Sequence, residues 1–452
     1  MISAKTISTK TKRTEVLVVG AGPAGIAAAT AAAGNGRSVI VLDDNVTAGG
    51  QIWRGATVEQ NRPSHRSDPK KQRAMERLQR SGAQLLAGRS VFSAEASGAL
   101  QTSQESASGT STEQFHFEQL VLATGARERF LPFPGWTLSG VFGAGGLQAL
   151  VKGGYPIAGK RVIVAGTGPL LLAVAAHLVE DGAIVSHLLE QAPLSQLAPF
   201  AASLWTHPAK LVQGAGFRAK LWKTSYRTGC WVVEAIAASD GQRLAAVRMT
   251  DGARTWTEPC DLLACGYHLV PNTELATLLG CKFSGSFVQV DDTQRTSLPN
   301  IFCAGEPTGI AGLDAALIQG EIAGLACAGR STASLQKRAA AERAFGNGME
   351  KAFALRPELR SLPRPETIVC RCEDVRFSNL QGHTGWTDAK LQTRCGMGPC
   401  QGRVCGPAIE HLLGWKPVSV RQPLFPVPIE ALCAQDETTE INNQNELIEE
   451  KA

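Results

Sequence analysis

With 452 residues the chain is too long for one small core and predicts two or three domains. Its composition, 44% hydrophobic and 19% charged, is that of a globular protein; no uninterrupted apolar run suggests a membrane span, and residues 1–14 lack the core of a secretory signal. A net charge of +5, dispersed along the chain, gives no ground for a nucleic-acid partner.

Lys5, Lys10, Lys12 and Arg13 make the start basic, and the stretch from Asp436 is acidic. Residues 1–13 and 434–452 are therefore expected to be solvated tails. The twelve cysteines are mostly single and scattered, which fits a reducing, cytoplasmic setting better than a disulfide framework.

Residues 14–45 read "TEVLVVGAGPAGIAAATAAAGNGRSVIVLDDN". An apolar run ends at Gly20, and Gly20, Gly22 and Gly25 form G-x-G-x-x-G. The first glycine serves the tight turn, the second admits a pyrophosphate, and the third lets helix and strand pack closely. Pro23 and Ala24 open the helix, whose first amides face the phosphates. The next apolar run ends at Asp43, placed for a ribose hydroxyl. Strand, glycines, helix, strand and acid in this order predict a dinucleotide site.

Three later segments qualify that site: "GGQIWR" at 49–54 with Gly50 and Gln51, "LVLATGARERFLPFPG" at 120–135 with Ala123, Thr124 and Gly125, and "TSLPNIFCAGEPTG" at 296–309 with Gly305 and Glu306. Together they resemble the flavoproteins with two dinucleotide-binding domains related to glutathione reductase. The resemblance implies an α/β fold and FAD in the first site, with Glu306 on the ribityl chain. Most members carry Asp at that position.

Residues 159–191 repeat the plan with Gly166, Gly168 and Glu190, but Leu171 takes the third glycine's place. A leucine there is expected to push helix from strand or alter the phosphate approach. This second Rossmann-like unit either takes NAD(P), holds a non-reacting adenine nucleotide, or is kept for packing alone. The expected boundaries are a split FAD domain at 14–150 and 260–335 and a second unit at 151–259. A helical connector follows at 336–364, and a small domain with a Pro-rich segment at 365–433. The Ser-, Thr- and Gly-rich stretch 94–114 reads as a flexible surface turn.

Cys260 and Cys265 form a C-x4-C, but "CDLLAC" reads as a strand, so both are expected in the core. No general base is placed by motif. Cys370, Cys372, Cys395, Cys400 and Cys405 crowd into the late segment, with glycine and proline around the last three. Zinc prefers C-x2-C knuckles. Disulfides do not suit a reducing compartment. The spacing favours an iron–sulfur cluster, with a following helix whose N-terminus favours negative charge.

"VCRCEDV" followed by "TRCGMGPCQGRVCGPAIEHLL" resembles the small [2Fe–2S] domain of the bacterioferritin-associated-ferredoxin type, also appended to the large subunit of anaerobic glycerol-3-phosphate dehydrogenase. The resemblance implies Cys370, Cys372, Cys400 and Cys405 as ligands, with Cys395 for Cys405 as the alternative. Over 14–433, "ATGARERFLPFPGWTLSGVFGAGGLQALVK" and "VIVAGTGPLLLAVAAHL" with the cysteine cluster resemble the A subunits of octopine- and nopaline-type opine oxidases, the B subunits of hydrogen cyanide synthases and the α subunits of proline and hydroxyproline dehydrogenases. That group implies an electron-transfer subunit beside a D-amino-acid-oxidase-like FAD subunit, which oxidises the amine carbon. It also implies a third, small ferredoxin-like chain, and a quinone or respiratory acceptor at the inner membrane. A self-sufficient NAD(P)H oxidoreductase is the alternative.

Overall fold

The computed structural model describes residues 8–53, 68–107, 109–417, 420–433 and 435–436; Arg54, His65 and the acidic stretch from 437 lie outside them. The apolar run before Gly20 is the middle of a long strand, Ser8–Val19, between the parallel partners Val39–Asp43 and Gly109–Leu122. Val16, Leu17 and Val18 are fully buried, as a parallel strand covered on both faces requires. The sheet runs Gln84–Ala87, Val39–Asp43, Ser8–Val19, Gly109–Leu122, Ala99–Ser106, Ser90–Glu95, and Ile301–Cys303 also pairs with Gly109–Leu122.

Two expectations fail here. Residues 8–13 are not a tail: Lys10 to Thr14 pair with Glu113 to Phe117, and Lys12 bridges Glu113 at 2.9 Å. The Ser/Thr-rich stretch is not a flexible turn but most of the hairpin Ala99–Ser106 and Gly109–Leu122. Thr102, Ser103 and Thr112 are buried on it, so hydroxyls stand where alternation would place apolar residues.

The helices Pro23–Ala33 and Leu313–Cys327 cross at very short range. A Cβ on Gly320 would fall 2.1 Å from the Ala24 carbonyl oxygen, and one on Gly324 2.2 Å from that of Ala28. Only glycine permits this approach, and it fixes the first glycine loop against the Gly305–Glu306 segment.

The second sheet is parallel, in the order Ser225–Thr228, Ile184–Glu190, Arg161–Thr167, Leu262–Tyr267, Val141–Gly143. A three-stranded antiparallel sheet, Trp231–Ala237, Leu244–Thr250 and Thr255–Pro259, belongs to the same unit. The boundaries expected at 150 and 260 therefore shift. Val141–Gly143 and Leu262–Tyr267 complete the second sheet, and the helix Ala144–Lys152 packs in that unit's core. An apolar strand carries no mark of which sheet will accept it. The crossing points are the short strands Ala126–Glu128 and Leu269–Pro271, which pair with each other.

The connector is the helix Ala333–Ala352 followed by the turn Pro357–Ser361, as expected. The small domain has a hairpin, Ile368–Cys370 with Val375–Arg376, and the helices Phe377–Leu380, Trp386–Thr393 and Cys405–Leu413. Trp136 of the second unit donates its indole N–H to the Ile368 carbonyl at 2.6 Å. The Pro-rich segment packs on the chain itself. Leu424 is buried, its N–H donates to the Phe92 carbonyl at 2.8 Å, and Gln422 reaches the Ala94 carbonyl. Among the described residues no helix is long and apolar enough to cross a membrane.

Candidate functional site

Gly20 holds a left-handed φ of 103°, and a Cβ there would lie 2.2 Å from the Ala123 carbonyl oxygen. A Cβ on Gly25 would lie 1.8 Å from the Gly20 oxygen, so helix and turn are in contact. Gly22 differs: its Cβ would meet only the Gly50 Cα, at 3.8 Å. Gly50 closes the other wall, with φ 57° and a virtual Cβ 2.9 Å from the Gly22 Cα. Two glycines thus keep clear a slot above the amides that open the helix Pro23–Ala33, which suits a pyrophosphate.

Asp43 is tied to its own loop. Oδ2 accepts the Ala21 N–H, and Oδ1 accepts the Asn45 N–H at 2.8 Å and its side-chain amide at 2.9 Å. Gln51 is exposed beside this wall. Thr124 donates to the Asn272 carbonyl at 2.6 Å and fixes the Ala123–Gly125 turn. Glu306 sits deep but keeps part of its surface open to the cleft; a Cβ on Gly125 would lie 4.0 Å from its Oε2. Burial pushes its carboxyl up to about 7, against one hydrogen bond from the Ala126 N–H. An uncommitted carboxyl beside a glycine-lined slot fits the hydroxyl-bearing chain of a flavin dinucleotide.

The second loop keeps the glycines but not the access. A Cβ on Gly166 would lie 1.8 Å from the Gly266 oxygen, while Gly168, at φ 103°, has open space. Leu171 does not push the helix away: it is buried beside Gly266, whose own Cβ would come 3.4 Å from its Cδ2. The missing side chain on the neighbouring strand makes the room. Glu190 is consumed internally, accepting from the Thr167 hydroxyl at 2.6 Å, the Gly168 N–H at 2.8 Å and the Ala192 N–H at 2.9 Å. Burial raises its carboxyl to about 7. The end of the connector then crosses the carboxyl ends of Arg161–Thr167 and Ile184–Glu190, the usual ligand crevice of such sheets. Gln191 donates to the Ala354 carbonyl at 3.1 Å and accepts the Arg356 N–H at 3.0 Å, and the Thr167 hydroxyl lies 3.3 Å from the Phe353 carbonyl. Arg356 stacks on Trp231 at 3.7 Å.

In the small domain Cys370, Cys395 and Cys405 bring their sulfurs within 4.8 Å of one another. Cys370, Cys372, Cys400 and Cys405 line a cavity of about 240 Å³ with Phe130, Trp136, Arg371 and Val404. The Cys395 and Cys405 thiols point at the Cys370 sulfur and, with N–H groups of Gly396 and Glu373, hold its thiol far below the ordinary range. Converging sulfurs met by backbone amides suit a cationic centre. A Cβ on Gly398 would lie 2.3 Å from the Cys372 Cβ, so glycine is what lets the loop close on that cysteine. The helix Cys405–Leu413 begins on a ligand candidate, as expected. All twelve cysteines are free thiols, and Cys260 and Cys265 are buried in the second unit's core. A cavity of about 430 Å³ adjoins, sharing Phe130, Trp136 and Arg371 and walled also by Phe133, Phe142 and Tyr267.

The two candidate sites meet at the hinge. Ala126 contacts Glu306, and the next residue, Arg127, donates its Nε–H to the Arg403 carbonyl at 3.1 Å, two residues before Cys405. Glu274 completes the bridge, 2.9 Å from Arg127 Nη1 and 3.7 Å from Arg403 Nε.

The profile of the family described as "Pyridine nucleotide-disulphide oxidoreductase" matches residues 14–323. The chain belongs to the pyridine nucleotide-disulphide oxidoreductase family. It is a member of the group that includes the A subunit of opine oxidase from Agrobacterium tumefaciens, at 31% identity over 88% of this chain and 85% of that one. "Hydrogen cyanide synthase subunit HcnB" of Pseudomonas protegens is 30% identical over 93% and 98%. The solved L-proline dehydrogenase from P. horikoshii shares the fold at TM-score 0.67 and 18% identity, over 94% of this chain and 80% of that one. The family is one of flavin-dependent oxidoreductases, and the first glycine loop of this member fits FAD.

Several residues of this family member escape motif reading. Trp386 is the floor of the cysteine loop: a Cβ on Gly396 would fall 2.8 Å from its ring and one on Gly402 3.1 Å. Glycines spaced among the cysteines carry that signal, and their ring partner does not. Arg127 and Glu274 stand in ordinary loop sequence, and nothing in a local pattern pairs Arg127 with a carbonyl 276 residues away.

Proposed function

We propose that this chain is the electron-transfer subunit of a heteromeric oxidase or dehydrogenase that oxidises the C–N bond of an opine or an amino acid such as octopine, nopaline, hydroxyproline, proline or glycine. Bond-breaking resides on a D-amino-acid-oxidase-like partner subunit, and a small ferredoxin-like chain accompanies the pair. A quinone or respiratory carrier accepts the electrons, and the complex works from the cytoplasmic face of the membrane. The named relatives are themselves subunits, and among the described residues no base is set beside the first glycine loop.

The observation that carries this reading is the hinge. Residues 123–128 touch the flavin-type slot on one side and the cysteine domain on the other. FAD supplies exchange between two- and one-electron transfer when bound, and a [2Fe–2S] cluster supplies single-electron steps. Gly20, Gly22, Gly25 and Gly50 make the slot, and Glu306, near neutrality, presents a carboxyl that can donate or accept a hydrogen bond. Cys370, Cys372, Cys400 and Cys405 are the proposed ligands. Phe130 and Trp136 shield their cavity from water, and Arg371 offsets the negative charge of thiolates. Gly166, Gly168 and Glu190 serve the second unit's packing.

The test is the complex reconstituted with its partner and assayed with an external dye. Cys400→Ser is expected to abolish absorbance to the red of the flavin bands and most dye reduction while FAD content stays. Full dye reduction by the cluster-free variant would sink the relay.

A further inference from the structure

Residues 191–233 contain no Asp or Glu, although the chain-wide frequency of 40 in 452 would place about four there; they contain Lys210, Arg218, Lys220, Lys223 and Arg227. Within this stretch the helices Leu194–Ser203 and Pro208–Lys220 lie on the outside of the second unit. The latter has no buried residue. Its inward positions are partly covered: His207, just before it, then Lys210, Gly214 and Phe217, with Lys210 pairing Glu342 and resting on Phe345. The opposite side is open and without charge: Pro208, Val212, Ala215, Gly216 and Ala219 are exposed, Val212 at 71%. Trp205 stands just before the helix at 81% exposure and Trp222 just after it at 74%.

An exposed tryptophan at each end of an uncharged helix face is costly in water and is what the boundary between headgroups and acyl chains accepts. Arg218 and Lys220 border the face, and their stems can lie along the acyl boundary with the charges at the headgroups. Lys223 sits beside Trp222, its ammonium 4.8 Å from the ring centroid. Cations without a carboxylate among them favour an anionic leaflet.

We infer that the face formed by Trp205, Val212, Ala219 and Trp222 docks on an anionic lipid bilayer, the helix Pro208–Lys220 lying in the plane of the headgroups. The inference stands apart from the electron-relay reading, because it concerns only the outer surface of the second unit. A lipid surface fits better than a protein partner, since the face is flat in side-chain size apart from its two tryptophans and lacks the hydrogen-bonding groups of a protein interface.

The full chain is mixed with vesicles of phosphatidylglycerol and phosphatidylethanolamine, and with neutral phosphatidylcholine vesicles, and both are sedimented. Co-sedimentation with the anionic vesicles that weakens with salt is expected, together with a blue shift of tryptophan emission. The double variant Trp205→Ser, Trp222→Ser is expected to bind at least about tenfold more weakly with unchanged flavin content. Val212→Glu, on an exposed position, gives the same loss without touching a tryptophan. No binding to anionic vesicles, or binding that these variants leave intact, overturns the inference. So does a variant that keeps vesicle binding but releases the partner subunit, which makes the face a protein interface.

Discussion

Arg127 Nε donates to the carbonyl of Arg403 at 3.1 Å, tying the hinge beside the flavin-type slot to the loop that delivers Cys405. Arg127 also donates to Asn272 Oδ1 at 2.7 Å and pairs with Glu274. Hydrogen bonds to charged groups contribute about 1.5–3 kcal/mol each. Arg127→Ala is expected to leave flavin and iron content in place but to slow dye reduction by the assembled complex several-fold. The readouts are cofactor stoichiometry and single-turnover kinetics. Unchanged transfer in a variant with a loosened small domain, seen as faster proteolysis near 365, would separate the bridge from the relay.

The cysteine set gives a sharper outcome. Cys395 is buried within 4.8 Å of Cys370 and Cys405 but is not among the residues lining the cavity that Cys372 and Cys400 share with them. Cys395→Ser is expected to retain the cluster's visible absorbance and its EPR signal after dithionite, while Cys400→Ser loses both. The reverse pattern would transfer the fourth position to Cys395. Gly398→Ala should act like a ligand loss although no thiol is removed, because its methyl group would sit 2.3 Å from the Cys372 Cβ.

How much of this was legible in the sequence depends on whether the determinant is local. The loop at Gly20–Gly25 is, since each glycine answers to a turn, a slot or a helix contact within a few residues. Leu171 misleads, because its compensation, Gly266, lies on another strand and no spacing rule connects them. Val141–Gly143 and Leu262–Tyr267 read correctly as extended apolar runs, yet the sheet they join is decided by long-range pairing. The strand Gly109–Leu122 hides because Thr112 and Glu113 occupy its inner positions. Glu113 is buried with Arg89 at 2.6 Å and Lys12, a polar pairing that alternation cannot reveal.

The connector over the second glycine loop predicts silence toward nicotinamides. Phe353, Ala354 and Arg356 take the hydrogen bonds of Thr167 and Gln191 that a dinucleotide would compete for. Stopped-flow mixing of the flavin-loaded chain with NADH or NADPH is expected to show no flavin bleaching on the time scale of turnover. Rapid bleaching would instead support a self-sufficient reductase. Arg356→Ala removes the stack on Trp231 and the bonds to Gln191 and Gly229, so it is the variant in which any latent adenine-nucleotide binding should emerge.

Glu190 supplies a pH signature of that closed loop. Its folded carboxyl titrates at about 7 because burial outweighs the bonds from Thr167, Ala192 and Gly168. The unfolded chain titrates near the ordinary glutamate value, so between those two values the folded state binds more protons. The sign follows: the contribution is fully present below about pH 4.5 and is lost as pH rises through about 7. One such group corresponds to about 3 kcal/mol across that window. Thermal unfolding of the chain between pH 5 and pH 8 should therefore show a stability that falls with pH more steeply than in Glu190→Gln. That variant is less stable overall, since its amide sets a donor against the Gly168 or Ala192 N–H, but its slope is shallower. Equal slopes in the two proteins would mean that Glu190 is ionised in the folded chain and that the loop is open to water.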